Sequence, residues 1–175
     1  NRTKMAKNDF RIYDVGGLSC APVFPAKGWQ VAAATPPTVE AGEPTKGSGT
    51  SQEDVILLVD ADLTIGTDQT FNGVAAKDSE ETSGAAGYVD LYMPLPNIIY
   101  EIRALTTTLV DVRSEIDALV GEYHVIDLTT DLFTLDTAAG DGANNAFLIV
   151  GGNPTMSTLY FMVRSDATVF GRARV

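Results

Sequence analysis

Histidine and cysteine, the side chains most often used for catalysis and transition-metal binding, each occur once, as His124 and Cys20. Nucleophilic catalysis needs a serine or cysteine beside a histidine and an orienting acid, and no Gly-x-Ser-x-Gly turn presents a serine in this way. A zinc site needs three or four cysteine and histidine ligands. We therefore expect neither a catalytic centre nor a zinc site, and we interpret His124 as a structural residue within a strand.

Carboxylate and amide side chains, whose oxygens are the usual side-chain ligands of calcium, gather in two loops: Asp60, Asp62 and Asp68 in one, and Asp136, Asp141 and Asn144 in the other. Neither loop has the alternating Asp/Asn ligands and the distal glutamate of a calcium-binding loop, so we interpret these residues as turn formers. The glycine-rich stretch 151–154 lacks the Lys-Ser/Thr of a phosphate-binding loop and predicts a turn. We expect a protein that has no cofactor and is not an enzyme.

Charge is distributed unevenly along the chain, whose formal net charge is −11. Residues 1–29 carry five basic and two acidic residues, residues 30–163 carry four and twenty, and residues 164–175 carry three and one. Because an acidic body repels phosphate, nucleic-acid binding is not expected. No run of 18 or more apolar residues occurs, and no apolar segment follows the N-terminal charges, so neither a membrane partner nor a signal peptide is expected.

Residues 1–54 are rich in proline and glycine, which predicts an extended N-terminal arm with little regular periodicity. The arm also carries large apolar and basic side chains, and such residues usually dock on a surface. We predict that six of them contact a partner: Phe10, Arg11, Tyr13, Phe24, Lys27 and Trp29. The alternative is an arm folded back onto its own barrel, in which Trp29 caps the core.

Residues 55–175 are predicted to form a β-rich body, because short β-branched and aromatic runs alternate with turn signals. The predicted strands are 55–59, 71–76, 87–93, 98–104, 124–128, 132–135, 146–150, 158–163 and 168–172. The alternation in Gly87–Met93 predicts one buried and one exposed face, whereas the continuous apolar run Val55–Val59 predicts burial on both faces. Pro94 and Pro96 end the former strand or place it at a sheet edge.

One segment, residues 109–120, has helical periodicity. Its apolar residues recur three or four positions apart, opposite a charged face, and they are Leu109, Val112, Ile116, Leu119 and Val120. Thr108 is the predicted N-cap and Gly121 the predicted residue just beyond the helix. We expect the helix to pack on its own sheet, and the alternative is a helix that binds a partner.

Many short strands, one short helix and frequent turns predict a mainly β fold. We expect a β-barrel or sandwich-like body over residues 55–175, preceded by the extended Pro/Gly-rich arm of residues 1–54. No internal repeat or coiled-coil heptad pattern is present.

Four stretches combine turn and strand residues in a characteristic order: Thr38–Pro44; Ile65–Asp68 with Phe71–Ser79; Gly87–Pro96 running into Tyr100–Ala104; and Phe147–Gly171. Taken together, they resemble a family of small virion proteins of tailed bacteriophages, described as capsid decoration or head-stabilising proteins. The order and spacing of the stretches, which span residues 38–171, are more specific than any one of them. The resemblance implies a β-barrel-like body that sits on an assembled capsid shell as a homo-oligomer, and it transfers no catalytic residue.

The resemblance favours a capsid decoration, or cement, protein that binds the outside of an assembled phage head and stabilises it, with the major capsid protein as partner. Such a protein is made in the host bacterial cytoplasm and ends on the capsid surface of the virion. The resemblance also implies a homotrimer, for which the sequence offers Tyr88, Tyr92 and the Pro94/Pro96 edge as contact surface. The alternatives are another virion component (a head fibre base, a tail tube protein or a major capsid component) or a soluble ligand-binding β domain.

Overall fold

The structure, a computed structural model, describes residues 11–14, 26–34, 38–47, 55–58, 70–95, 98–129, 132–138, 141–142 and 145–168. Within them the strands are β1 (Arg11–Asp14), β2 (Ala26–Val31), β3 (Pro44–Gly47), β4 (Val55–Leu57), β5 (Phe71–Ala75), β6 (Gly87–Tyr92), β7 (Ile99–Ala104), β8 (Tyr123–Thr129), β9 (Leu132–Asp136), β10 (Phe147–Asn153) and β11 (Thr158–Val163). The α-helix of the described residues, α1, is Arg113–Leu119, and short 3-10 helices cover Thr107–Leu109 and Ser165–Ala167.

The larger sheet closes into a five-stranded barrel. Its strands neighbour one another in the order β7-β11-β10-β8-β9, and a parallel pairing of β9 with the end of β7 closes the ring. β1 pairs with the first half of β7, on the same edge that β9 uses further along. Closure removes most unpaired strand edges from this sheet. The prediction of a mainly β, barrel-like body is confirmed.

The smaller sheet has five antiparallel strands in the order β2-β6-β5-β3-β4 and curls until its edge strands β2 and β4 approach each other. It encloses a second core made of Val31, Val39, Val55, Ala75, Val89 and Leu91. β2 and β3 come from residues 1–54, whereas β4, β5 and β6 come from residues 55–175. The strands within the predicted arm therefore hydrogen-bond to strands of the body, and the smaller sheet continues across residue 54.

Four aromatic rings at the junction of the two sheets contact one another in a closed cycle. Phe71 of β5 packs edge-on against Tyr100 and Phe147, with ring centroids 5.8 and 5.9 Å away. Phe161 completes the cycle by stacking on Tyr100 at 5.6 Å and meeting Phe147 edge-on at 5.3 Å. Such pairs contribute about 0.5–1.5 kcal/mol each beyond their buried area. All four rings are fully buried, so the side chain of Phe71 anchors the smaller sheet to the barrel.

The pairing of β5 with β3 shifts by one residue, and β5 contributes side chains to both cores. The register with β3 shifts between Gly73 and Phe71, which leaves Asn72 bulged. Phe71 and Val74 therefore both join the barrel core, whereas Ala75 joins the core of the smaller sheet. Gly73 has a φ of +136°, and a Cβ there would lie 2.3 Å from a backbone carbonyl oxygen of β6. Only glycine fits this bend.

The burial of residues in β6 and β4 can be compared with the burial that their sequence patterns predicted. The alternation predicted for Gly87–Tyr92 is confirmed, with Tyr88 on the outer face at 54% exposure. The strand ends before Pro94 and lies between β2 and β5, so it is not at a sheet edge. For Val55–Val59, the prediction of burial on both faces was wrong, because β4 is an edge strand and Ile56 is 38% exposed.

The helix is shorter than its periodicity predicted. A 3-10 turn precedes it and α1 begins only at Arg113, so the prediction of Thr108 as N-cap was wrong. The carboxylate of Glu115 instead accepts a hydrogen bond from the backbone N–H of Val112, at 3.3 Å. Gly121 has a φ of +96° just beyond the helix, which confirms that part of the prediction.

The helix packs across the end of the barrel where β7 ends and β8 begins. Ile116 is fully buried in the barrel core and lies against Gly152 of β10. A Cβ on Gly152 would lie 3.2 Å from Ile116 and 2.6 Å from the carbonyl oxygen of Thr158, so the glycine permits this close approach. The turn predicted over 151–154 was placed too early, because β10 continues to Asn153.

Replacing Phe71 with alanine is expected to lower the free energy of unfolding by about 3–5 kcal/mol, the usual range for a buried Phe→Ala change. The substitution removes two ring contacts and opens a cavity between the sheets. Urea unfolding followed by circular dichroism and by the fluorescence of Trp29 measures the loss. Tyr88→Ala, at an exposed position, is the matched control and should change stability by less than about 0.5 kcal/mol. A loss below about 1 kcal/mol for Phe71→Ala would contradict an anchoring role.

Candidate functional site

His124 has no exposed surface. Its Nδ1 lies 3.0 Å from the backbone carbonyl oxygen of Asp136, and its Nε2 lies 3.1 Å from a carboxylate oxygen of Glu122. A histidine acting in acid–base catalysis must come within hydrogen-bonding reach of the substrate. Both ring nitrogens instead bind neighbouring parts of the barrel, which agrees with the structural role predicted for His124.

Two further buried ionisable side chains belong to the framework of the barrel. Glu101 is 3% exposed and accepts a 2.8 Å hydrogen bond from the hydroxyl of Thr158 on the neighbouring strand. Burial raises the pKa of the Tyr100 hydroxyl, so this side chain remains neutral within the aromatic cycle. Both residues lie on β7, contact β11 and are buried from solvent.

Among the described residues, no group of three or more His, Cys, Asp or Glu side chains is arranged to hold a metal ion. Asp136 accepts a hydrogen bond from the backbone N–H two residues later, and Asp141 accepts one from the N–H of Tyr123. Such bonds support the interpretation of these residues as turn formers. Asn144 and the acidic residues of loop 60–68 lie outside the described residues.

A buried carboxylate fastens two connecting segments of the smaller sheet. Glu81 is 2% exposed and accepts a hydrogen bond from the backbone N–H of Thr38. Ser79 both donates to the carbonyl oxygen of Val39 and accepts from its N–H. Burial by itself would raise the pKa of Glu81, but hydrogen bonding from Ser79 and Thr38 outweighs burial and leaves that pKa below its usual value. We call this set of residues the clasp.

A groove of about 360 Å³ lies on the outer face of the barrel, across β8, β10 and β11. Leu148 and Met162 face each other across two of these strands and line the groove. The guanidinium of Arg164 lies 4.7 Å from the ring centroid of Tyr123 and pairs with the carboxylate of Asp166 at 3.1 Å. The groove combines apolar and charged groups, as small-ligand sites do. The guanidinium of Arg164 already contacts Tyr123 and Asp166 of the same chain.

Exposed large apolar side chains gather around α1. Four of them, here called the α1 patch, are between 36% and 48% exposed: Leu105, Leu109, Val112 and Met156. The first follows β7, the next two lie between β7 and α1, and the last lies in the turn between β10 and β11. The patch is therefore formed by two connections at one end of the barrel.

The predicted contact residues are divided between the two sheets. Arg11 and Tyr13 lie in β1, Lys27 and Trp29 lie in β2, and Phe10 and Phe24 lie outside the described residues. Trp29 packs against the core of the smaller sheet, as the alternative of a folded-back arm supposes.

The sequence did not identify the α1 patch as a surface. The helical spacing of Leu109 and Val112 marked both as residues of interest, but it predicted that they lie on the buried face of the helix. The structure exposes both, because α1 begins after them and Ile116 makes the buried contact with the barrel.

Neither a scan against protein-family models nor a search of curated proteins found a match to this chain. No helix of the described residues is long and apolar enough to cross a membrane. A functional assignment therefore depends on the geometry above and on the resemblance of the four sequence stretches.

Replacing Glu81 with glutamine is expected to destabilise the protein by about 1 kcal/mol at pH 7, because a charge-assisted hydrogen bond becomes a neutral one. The folded-state pKa of Glu81 lies below its ordinary value, so its stabilising effect is present above the unfolded pKa of about 4.3. That effect disappears as the pH falls through the folded pKa.

Urea unfolding of the wild type and of Glu81→Gln between pH 3 and 7, a range set by the ordinary glutamate pKa of about 4.3, measures this dependence. The stability difference should shrink as the pH approaches the acid end of the series. Glu80→Gln is the matched control, because the neighbouring carboxylate is 62% exposed, and it should leave stability nearly unchanged. A difference that is the same at every pH would contradict an ionised Glu81 in the clasp.

Proposed function

We propose that this chain is a decoration protein of a tailed-bacteriophage capsid. It binds the outside of an assembled head as a homo-oligomer, with the major capsid protein as its partner, and stabilises the shell. Its place is the capsid surface of the virion, after synthesis in the host bacterial cytoplasm. It acts by binding, without catalysis and without a cofactor.

The observation that carries this proposal is that the stretches resembling decoration proteins build the framework of the fold. They contain every ring of the aromatic cycle: Phe71, Tyr100, Phe147 and Phe161. They also supply β5, β6, β7, β10 and β11. A resemblance in the residues that join the two sheets supports a shared architecture more strongly than a resemblance confined to loops.

Shell stabilisation follows from mass action. A protein that binds only the assembled shell lowers the free energy of that state, by about 2.7 kcal/mol per site when its concentration is 100 times its Kd. The acidic body, with four basic and twenty acidic residues in 30–163, suits a surface that faces solvent. The basic and apolar N-terminal region then makes the contact with the shell.

The N-terminal residues offer both components of such a contact. Basic side chains steer association and set orientation, and this component weakens in salt. Each aromatic side chain adds about 150–250 Å² of apolar surface to bury. Within this region, β1 pairs with the barrel strand β7 and β2 pairs with β6 of the smaller sheet.

A second candidate, a ligand-binding β domain, is favoured by the groove that Tyr123 and Arg164 line. A domain of this kind would bind a small molecule in the absence of any phage shell. Substituting Met162 with arginine would fill the groove and abolish such binding, whereas shell binding through the N-terminal region should persist.

Purified protein added to expanded heads assembled from the major capsid protein encoded with this chain should bind at a fixed ratio. The saturated heads should resist heat better than bare heads, because the bound protein favours the assembled state. Sedimentation of the heads with quantification of bound protein, followed by calorimetry, measures both effects. Unexpanded heads are the comparison. Absence of saturable binding to expanded heads would refute the proposal.

Removing residues 1–10 is expected to weaken head binding about tenfold or more, equivalent to about 1.4 kcal/mol. The truncation deletes Phe10 and a net charge of +2 but stops before β1, so the barrel should unfold at its usual temperature. A deletion as far as residue 30 would also remove β1 and most of β2. Replacing Arg2, Lys4 and Lys7 with serine is the control that retains Phe10, and it should mainly reduce the dependence of binding on salt. Unchanged affinity after truncation would exclude this segment as an anchor.

A further inference from the structure

The α1 patch is part of a larger concentration of exposed apolar surface. Eight large apolar side chains of the described residues are more than a third exposed, and five of them flank α1: Leu105, Leu109, Val112, Val120 and Met156. Single exposed apolar side chains are ordinary, but a group at one end of a small protein marks an interaction surface.

Backbone contacts hold the patch in place. The N–H of Ala104 donates to the carbonyl oxygen of Ser157 at 3.1 Å, which ties the turn carrying Met156 to the end of β7. The guanidinium of Arg113 donates to the carbonyl oxygen of Gly152 at 3.5 Å, which ties the start of α1 to the same turn. The two connections therefore present one surface, and little conformational freedom is lost when it binds.

Charge distinguishes this surface from the rest of the body. The stretches that carry and flank it, residues 103–119 with α1 and residues 152–158, hold two basic and three acidic residues, and Arg113 pairs with Asp117 of α1 at 2.8 Å. Residues 30–163 as a whole hold four basic and twenty acidic residues. Half of the basic residues of the body, Arg103 and Arg113, therefore flank the α1 patch. Equally acidic copies repel each other over most of their surface, and this repulsion is weaker at this end, where the net charge of these stretches is −1, than over an average stretch of the body, whose net charge is −16 over residues 30–163.

We propose that the α1 patch is the self-contact surface of this protein, where the patch of one copy packs on the patch of another around a symmetry axis. A patch that is apolar and nearly neutral is complementary to itself, as contacts around a symmetry axis require. A basic partner would find more opposite charge elsewhere on the body. The occupant is therefore a second copy of this chain.

This inference rests on the homo-oligomeric part of the proposed function and not on shell binding. It also differs from the contact surface that the sequence offered, the outer face and end of β6. The α1 patch lies on connections at one end of the barrel, whereas β6 belongs to the smaller sheet, so substitutions separate the two surfaces. A chain that self-associates through the α1 patch but does not bind heads would refute the decoration role and leave this inference intact.

Sedimentation velocity over a concentration series tests the contact with the full chain. The wild type should associate reversibly, and the double variant Leu109→Asp, Met156→Asp should raise the dissociation constant on the order of 100-fold, because like charges then face one another. Both positions are 44% exposed, so the fold should be retained. The milder pair Leu109→Ser, Met156→Ser should weaken association in the same direction and serves if the charged variant does not fold.

Tyr88→Asp is the matched control, because it places the same charge at a more exposed position on β6. It should associate like the wild type. Raising the sodium chloride concentration should strengthen association through the α1 patch, because salt screens the repulsion between acidic copies. Association in which the basic termini of one copy pair with the acidic body of another would instead weaken in salt. A monomeric wild type, an unaffected patch variant, or dissociation caused by Tyr88→Asp would each overturn the proposal.

Discussion

The edge-on packing of Phe71 against Tyr100 and Phe147 holds the smaller sheet on the barrel, and most other features depend on it. A five-stranded barrel encloses little volume, so a large ring inserted from outside completes its core. This ring belongs to Phe71 of β5, and the bulge at Asn72 directs the side chains of Phe71 and Val74 toward the barrel core. Ala75, the next residue of the strand, lies in the core of the smaller sheet. One strand thereby joins two small cores, neither of which encloses much apolar surface alone.

The buried polar groups serve the same purpose of joining elements. Glu101 connects neighbouring strands of the barrel, His124 connects β8 to β9, and Glu81 fastens a connecting segment of the smaller sheet. Glu101 and His124 are hydrogen-bonded to nearby backbone or side-chain groups, and one carboxylate oxygen of Glu81 accepts from the N–H of Thr38. Burial without any such partner would cost more than the bonds return. In a catalytic site, equivalent groups would be held at a cleft. Here they lie inside the framework, where they join neighbouring elements.

The two kinds of surface on this molecule suit different contacts. The acidic residues of the body repel like charges on another copy. The end around Leu109 and Met156 carries a smaller net charge, so this repulsion is weaker there. Eight of the twelve basic residues lie near the two chain ends, apart from the acidic centre of the sequence. A protein that must contact copies of itself and a larger assembly can use these regions separately.

The sequence by itself determined the approximate positions of β4 to β11, the alternating burial of β6, the glycine that follows α1 and the mainly β class, because these depend on local periodicity and turn chemistry. It did not predict β1, β2 and β3, which are strands through their pairing with distant residues. Tertiary structure alone decided that β4 is an edge strand with Ile56 exposed, and that Leu109 and Val112 face solvent. Apolar spacing shows which residues can share a face, but the elements packed against that face decide whether it is covered. The bulge in β5 and the approach of Ile116 to Gly152 likewise depend on distant neighbours, so they could be recognised only in the folded chain.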